Sequence, residues 1–181
     1  MQNKHLSARI ASMLQGGQHK QSIYAELRGS AGNDRQLAYL LAASASPARQ
    51  TLLANKNRAL IVVMVAQAML ALLVGYDSGQ LLGGSAGLWL ALFYALVPIA
   101  FAAGFSRHLA AAFNVYLLYS LVRLPALLQL ALAGGLLDWW LLSLAALTLL
   151  LSWHVRRGLF PDFTITLQPR KDETGNFTFS D

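Results

Sequence analysis

The chain contains no cysteine, which at once removes a disulfide framework, a cysteine-ligated zinc site, iron–sulfur ligation and thiol redox chemistry. Charge is scarce as well, at 12% of residues, and scarcest where apolar residues are densest. Four apolar stretches, 59–76, 87–105, 109–137 and 139–155, hold only Asp77, Arg107, Arg123 and Asp138 as charged residues within or between them, and of these only Arg123 stands mid-stretch. Since Asp77 and Asp138 lie at stretch ends, no carboxylate is embedded, and a proton-coupled relay lacks its usual carrier. His5, His19, His108 and His154 are scattered, without an i, i+4 pair or an acidic companion at ligand spacing, which argues against a metal site. No nucleophile elbow or phosphate-binding loop occurs. The expectation is a protein that is not an enzyme and takes no cofactor.

What is present is apolar length. Each stretch comes near the roughly 20 residues that a helix needs to cross the hydrocarbon layer, where it must satisfy its own backbone hydrogen bonds. The sequence therefore predicts an all-α membrane protein with one four-helix transmembrane domain over 59–155. A basic helical segment, 1–58, precedes it and a short tail, 156–181, follows it. The first stretch begins near Ala59, too far along for a cleavable signal peptide of the usual form, so the first span is expected to double as the insertion signal.

The net charge of +6 is carried entirely by residues 1–58. In a soluble protein such a balance would point to nucleic acid; beside membrane spans it is an orientation signal. Arg107 lies between the second and third stretches, and Arg156 and Arg157 follow the fourth, whereas the other two loops offer only Asp77 and Asp138. The positive-inside rule then places both termini in the cytoplasm of a bacterial-type inner membrane. Trp139 and Trp140 at one end of the fourth stretch and Trp153 near the other fit the aromatic belts at the two interfaces. Arg49, Lys56, Arg58, Arg156 and Arg157 are expected at the membrane surface, each attracted to anionic headgroups by on the order of 1 kcal/mol.

The flanks have their own periods. Leu6, Ile10, Met13 and Leu14 form a helical stripe that Gly16 and Gly17 end, Ile23 and Leu27 restart it, and Asn33 or Asp34 can cap a third helix carrying Leu37, Leu40 and Leu41 before Pro47. Three short helices invite a helix-turn-helix reading, but the third offers only Arg35 to a groove, which argues against nucleic acid. From Ser46 to Arg58 the chain can run as a helix directly into the first span. In the tail, Phe163, Ile165 and Leu167 alternate with polar residues, and Phe177 and Phe179 follow a turn-rich stretch, so 163–168 and 176–180 are predicted to pair as a β-hairpin-like tail packed on the N-terminal helices or on a partner. Asn176-Phe177-Thr178 matches a glycosylation sequon by chance on that side of the membrane.

The candidate site is intramembrane. Tyr116, Tyr119, Ser120 and Arg123 fall at i, i+3, i+4 and i+7, so they share a helix face that is expected to point inward, where Gln67, Tyr94 and carbonyls freed by Pro98 and Pro125 can receive the guanidinium. Arg123 is open to three readings: a contact for an anion, lipid phosphate or partner carboxylate; a structural latch; or a residue snorkelling from a helix broken at Pro125. Ala71 and Gly75, and Gly87, Ala91 and Ala95, allow close helix approach within one bundle or between copies. The expected function is that of a multi-pass interaction protein, an accessory or regulatory subunit or a protective protein that binds within the bilayer. Its partners would be membrane lipids and either further copies in a homo-oligomer or another membrane protein. The alternative is an oligomeric channel or carrier for an anion or lipid, with Arg123 lining the path.

Overall fold

The computed structural model describes residues 2–29, 33–83, 85–164 and 166–180, without the side chains of Gln2, Asn3, Lys4 and Leu137. Ile165, which entered the strand reading of the tail, lies outside the described residues. Seven helices are described: α1 Gln2–Gln15, α2 Lys20–Leu27, α3 Asp34–Ala43, α4 Pro47–Gln80, α5 Ala86–Ser106, α6 Ala110–Ala133 and α7 Leu136–Leu159. The last four are each long and apolar enough to cross a membrane, which supports a multi-pass membrane protein.

Local chemistry sets the breaks. Gly17 takes a left-handed φ of 78° after α1, a conformation without penalty only for glycine. The Asn33 side chain caps α3 by accepting from the Arg35 and Gln36 backbone N–H groups at 3.0 and 3.3 Å. Pro47 at the first turn of α4 is preset for a helix, and from there the 34 residues run without interruption through the polar lead into the span, about 50 Å in all. The third apolar stretch is shorter as a helix than as a run. Gly134 and Gly135 end α6 and turn the chain into α7, where the Asp138 carboxylate accepts the Gly135 N–H at 3.1 Å.

The spans form two antiparallel hairpins. In α4–α5 the small residues are consumed inside the chain: a Cβ on Gly75 would stand 2.7 Å from the Ala91 Cα, a Cβ on Gly79 would meet the Gly87 backbone, and Ala91 and Ala95 are buried. The spacing that also fitted oligomerisation thus serves backbone contact within one chain. The α6–α7 hairpin packs on the first mainly at the end nearer the termini, where Leu53, Leu60, Met64, Phe105, Phe113, Tyr116, Val155 and Phe160 share a core with Ala42 of α3 and Phe163 of the tail. A second core, Ile10, Leu14, Ile23, Leu27, Leu37 and Leu41, knits α1–α3 into a platform.

The tail corrects the hairpin expectation, since no strand forms among the described residues. Phe163 bridges Pro169 and Lys171 bridges Phe177, so 169–171 lies between the two segments that were expected to pair directly. The Thr164 hydroxyl accepts the Gln168 N–H and donates to the Gln168 carbonyl, and Leu167 takes a left-handed φ of 60°, which curls 163–169 into a tight loop. The alternating aromatics serve packing instead: the Tyr24 ring lies 6.0 Å from Phe177 and 5.4 Å from Phe179, and Tyr39 meets Phe163 edge-on at 5.3 Å. The tail therefore seals the platform formed by α1–α3.

Candidate functional site

Among the six residues expected on one inward stripe, the structure makes a division. Tyr116 is buried, edge-on to Phe101 and Phe105 of α5 at 5.0 and 5.5 Å, and interacts with Ser120 and with Thr148 of α7. Gln67 donates to the Thr148 hydroxyl at 3.3 Å, and that hydroxyl donates to the Leu144 carbonyl at 2.6 Å. Gln67, Tyr116, Ser120 and Thr148 thus make an interior seam joining α4, α6 and α7. Thr148 was legible only as one of three hydroxyls in an apolar run, with Ser143 and Ser152.

Arg123 is not part of that seam. It is exposed, and its Nη1 donates to the Tyr119 hydroxyl at 2.8 Å while its guanidinium carbon lies 5.4 Å from the centre of the same ring. Helical side chains lean back towards the N-terminus, so a residue at i+4 falls over the ring at i. Tyr119 is itself half-buried, its ring 5.8 Å from Phe101 on α5, which aims the pair along the seam between α5 and α6. The helix runs unbroken through Pro125, so the guanidinium rests on a phenol rather than on freed carbonyls, and the snorkelling reading through a break is removed. Tyr94 is exposed on α5 and Gln67 faces the interior, so neither joins Arg123.

The depth of the pair decides what it costs. Arg123 stands about 20 Å along the helix from Ala110 and about 15 Å from Ala133, close to the middle of the span. At that depth a charged side chain costs at least ~2.5 kcal/mol, and a guanidinium that uses one of its five donors on a neutral phenol recovers only part of it. Val115, Leu118 and Val122 form an exposed apolar stripe to one side of it round the helix, with Val122 80% exposed.

The basic residues expected at the membrane surface also divide. Arg58 and Arg157 are exposed, and Lys56 is exposed with its Nζ 2.8 Å from His154 Nε2. Arg49 is half-buried and donates to the Gly158 carbonyl at 3.0 Å. Arg156 is a correction. It is buried, its Nε donates to Asn114 Oδ1 at 2.7 Å and its Nη2 to the Phe163 carbonyl, while Asn114 Nδ2 donates to the Thr164 carbonyl at 3.2 Å. Arg156 thereby ties α7 to α6 and to the start of the tail.

Two further groups went unread in the sequence. Lys20 and Asp162, 142 residues apart, form a buried ion pair at 3.2 Å, and the other carboxylate oxygen accepts from the Ser180 N–H and hydroxyl at 2.7 and 2.6 Å. Asn57 Nδ2 donates to the Phe105 carbonyl at 3.1 Å and lies 3.3 Å from His108 Nε2. Burial holds the His108 pKa below its ordinary value, favouring the neutral ring. Among the described residues no group of three or more histidine and acidic residues is placed to hold a metal ion. Comparison with family models, with curated proteins and with solved structures finds no match to this chain.

Proposed function

We propose that this is a multi-pass bacterial inner-membrane protein, with both termini cytoplasmic, that works by recognising a partner within the bilayer, as an accessory or regulatory subunit or as a protective protein. The observation that carries the reading is Arg123, held outward at mid-span by Tyr119 and hydrogen-bonded to no other of the described residues. The cost of such a charge falls when a partner covers it. The orientation rests on the distribution of Lys and Arg among the loops. The platform of α1–α3 and the tail packs against the core of the spans through Ala42, Phe163 and Phe179.

The test is a photo-crosslinking residue in place of Val122, beside Arg123, in the protein's native membrane. An adduct to another protein, lost when Arg123→Gln is added, is the expected result. Adducts to lipid alone would overturn the reading.

A further inference from the structure

Arg123 constrains the chemistry of whatever covers it. The acidic residues of the chain are Glu26, Asp34, Asp77, Asp138, Asp162, Asp172, Glu173 and Asp181, and their placement rules most of them out. Glu26 and Asp34 belong to the platform helices, Asp162 is engaged by Lys20, and Asp172 and Glu173 sit in the tail. The two remaining near the spans are at the wrong level. The apposition of Gly75 with Ala91, and Tyr119 against Phe101, puts Asp77 about 12 Å beyond Arg123 towards the α4–α5 turn. Asp138 follows the α6–α7 turn, about 17 Å beyond Arg123 in the same direction. Tyr119 draws the guanidinium the opposite way, towards the N-terminus of α6.

Among the described residues, a second copy in the same orientation therefore brings no carboxylate to Arg123. Lipid phosphates lie at the edges of a hydrocarbon layer about 30 Å thick, whereas the pair is held near its middle. Resting on the reading above, we infer that the Arg123 face docks a spanning helix of a different membrane protein carrying an aspartate or glutamate at matching depth. The carboxylate completes the unused donors of the guanidinium in a bidentate pair, and the stripe of Val115, Leu118 and Val122 packs against the partner helix. Charge complementarity in a medium of low dielectric makes the contact selective.

The experiment uses the full chain in zwitterionic vesicles, with a donor dye on a single Glu173→Cys, which the absence of native cysteine makes unambiguous. Energy transfer is measured to synthetic Leu/Ala spanning helices bearing one mid-depth Glu, one mid-depth Gln, or a Glu displaced by two turns, at about pH 8, where the acid, whose pKa burial raises, is ionised by pairing with Arg123. The mid-depth Glu helix is expected to bind about tenfold more tightly than either control, and Arg123→Gln to abolish the difference. Equal binding of the three helices overturns the inference. So does loss of the preference when phosphatidylglycerol is added, which would make a lipid phosphate the ligand. In either of these cases a protein adduct at position 122 in native membranes leaves the recognition reading standing, and its absence removes both.

Discussion

Two arginines on neighbouring helices meet opposite fates. Arg156, at the C-terminal end of α7, is buried among Asn114 and the Phe163 carbonyl, and every group it touches belongs to its own chain. Arg123, in the middle of α6, is exposed and, among the described residues, bonded only to Tyr119 one turn away. The difference teaches that a charge buried with complementary partners is part of the fold. A charge held at bilayer depth by one neutral hydroxyl is an unfinished contact. At the base of the molecule, where platform, tail and spans meet, Arg156 and Lys20 are buried with partners from their own chain; on the α5–α6 face Arg123 is exposed.

The contrast can be broken from the buried side first. Asp162→Ala takes the Asp162 carboxylate from buried Lys20 and frees Ser180, so the platform should lose about 3–5 kcal/mol, read as a large drop in thermal midpoint in detergent. Arg156→Leu leaves Asn114 Oδ1 and the Phe163 carbonyl without their donor, and a loss of about 2–5 kcal/mol is expected, with the tail becoming sensitive to protease. A smaller effect follows pH. Because the folded chain holds the His108 pKa below its unfolded value, the unfolded chain takes up the proton first. Stability should fall as pH drops below about 6.5, and the His108 share of that slope should vanish in His108→Asn, a residue that tolerates the left-handed φ of 50°. The smallest change in stability belongs to Arg123→Gln, within about 0.5 kcal/mol of the parent, because no packed group depends on it. A large loss there would make Arg123 a latch and erase the contrast.

The sequence carried the spans because the signal is averaged over many residues. The stretches 87–105 and 139–155 differ from α5 and α7 by one to four residues at each end. The first span is longer than its apolar run because helix needs no hydrophobicity, and the polar lead from Pro47 continues it. The third is shorter because the Gly134–Gly135 turn hides within apolar composition. Pairings were harder to read. Asn114 and Arg156 are 42 residues apart and Lys20 and Asp162 are 142, so nothing local distinguishes a buried arginine at a helix end from a surface one. The helical spacing of Tyr116, Tyr119, Ser120 and Arg123 is real, yet a face wide enough for four side chains turns only part of itself inward, and the last residue falls outside. In the tail, alternation described which rings pack on the platform and not which segments exchange backbone bonds.

The most direct test of the open contact is native mass spectrometry of the protein released gently from its own membrane, parent and Arg123→Gln side by side. The account predicts a second protein in stoichiometric amount with the parent and its absence from the variant. A closed homo-oligomer that is the same in both would contradict it, and would hand Arg123 to a path between copies.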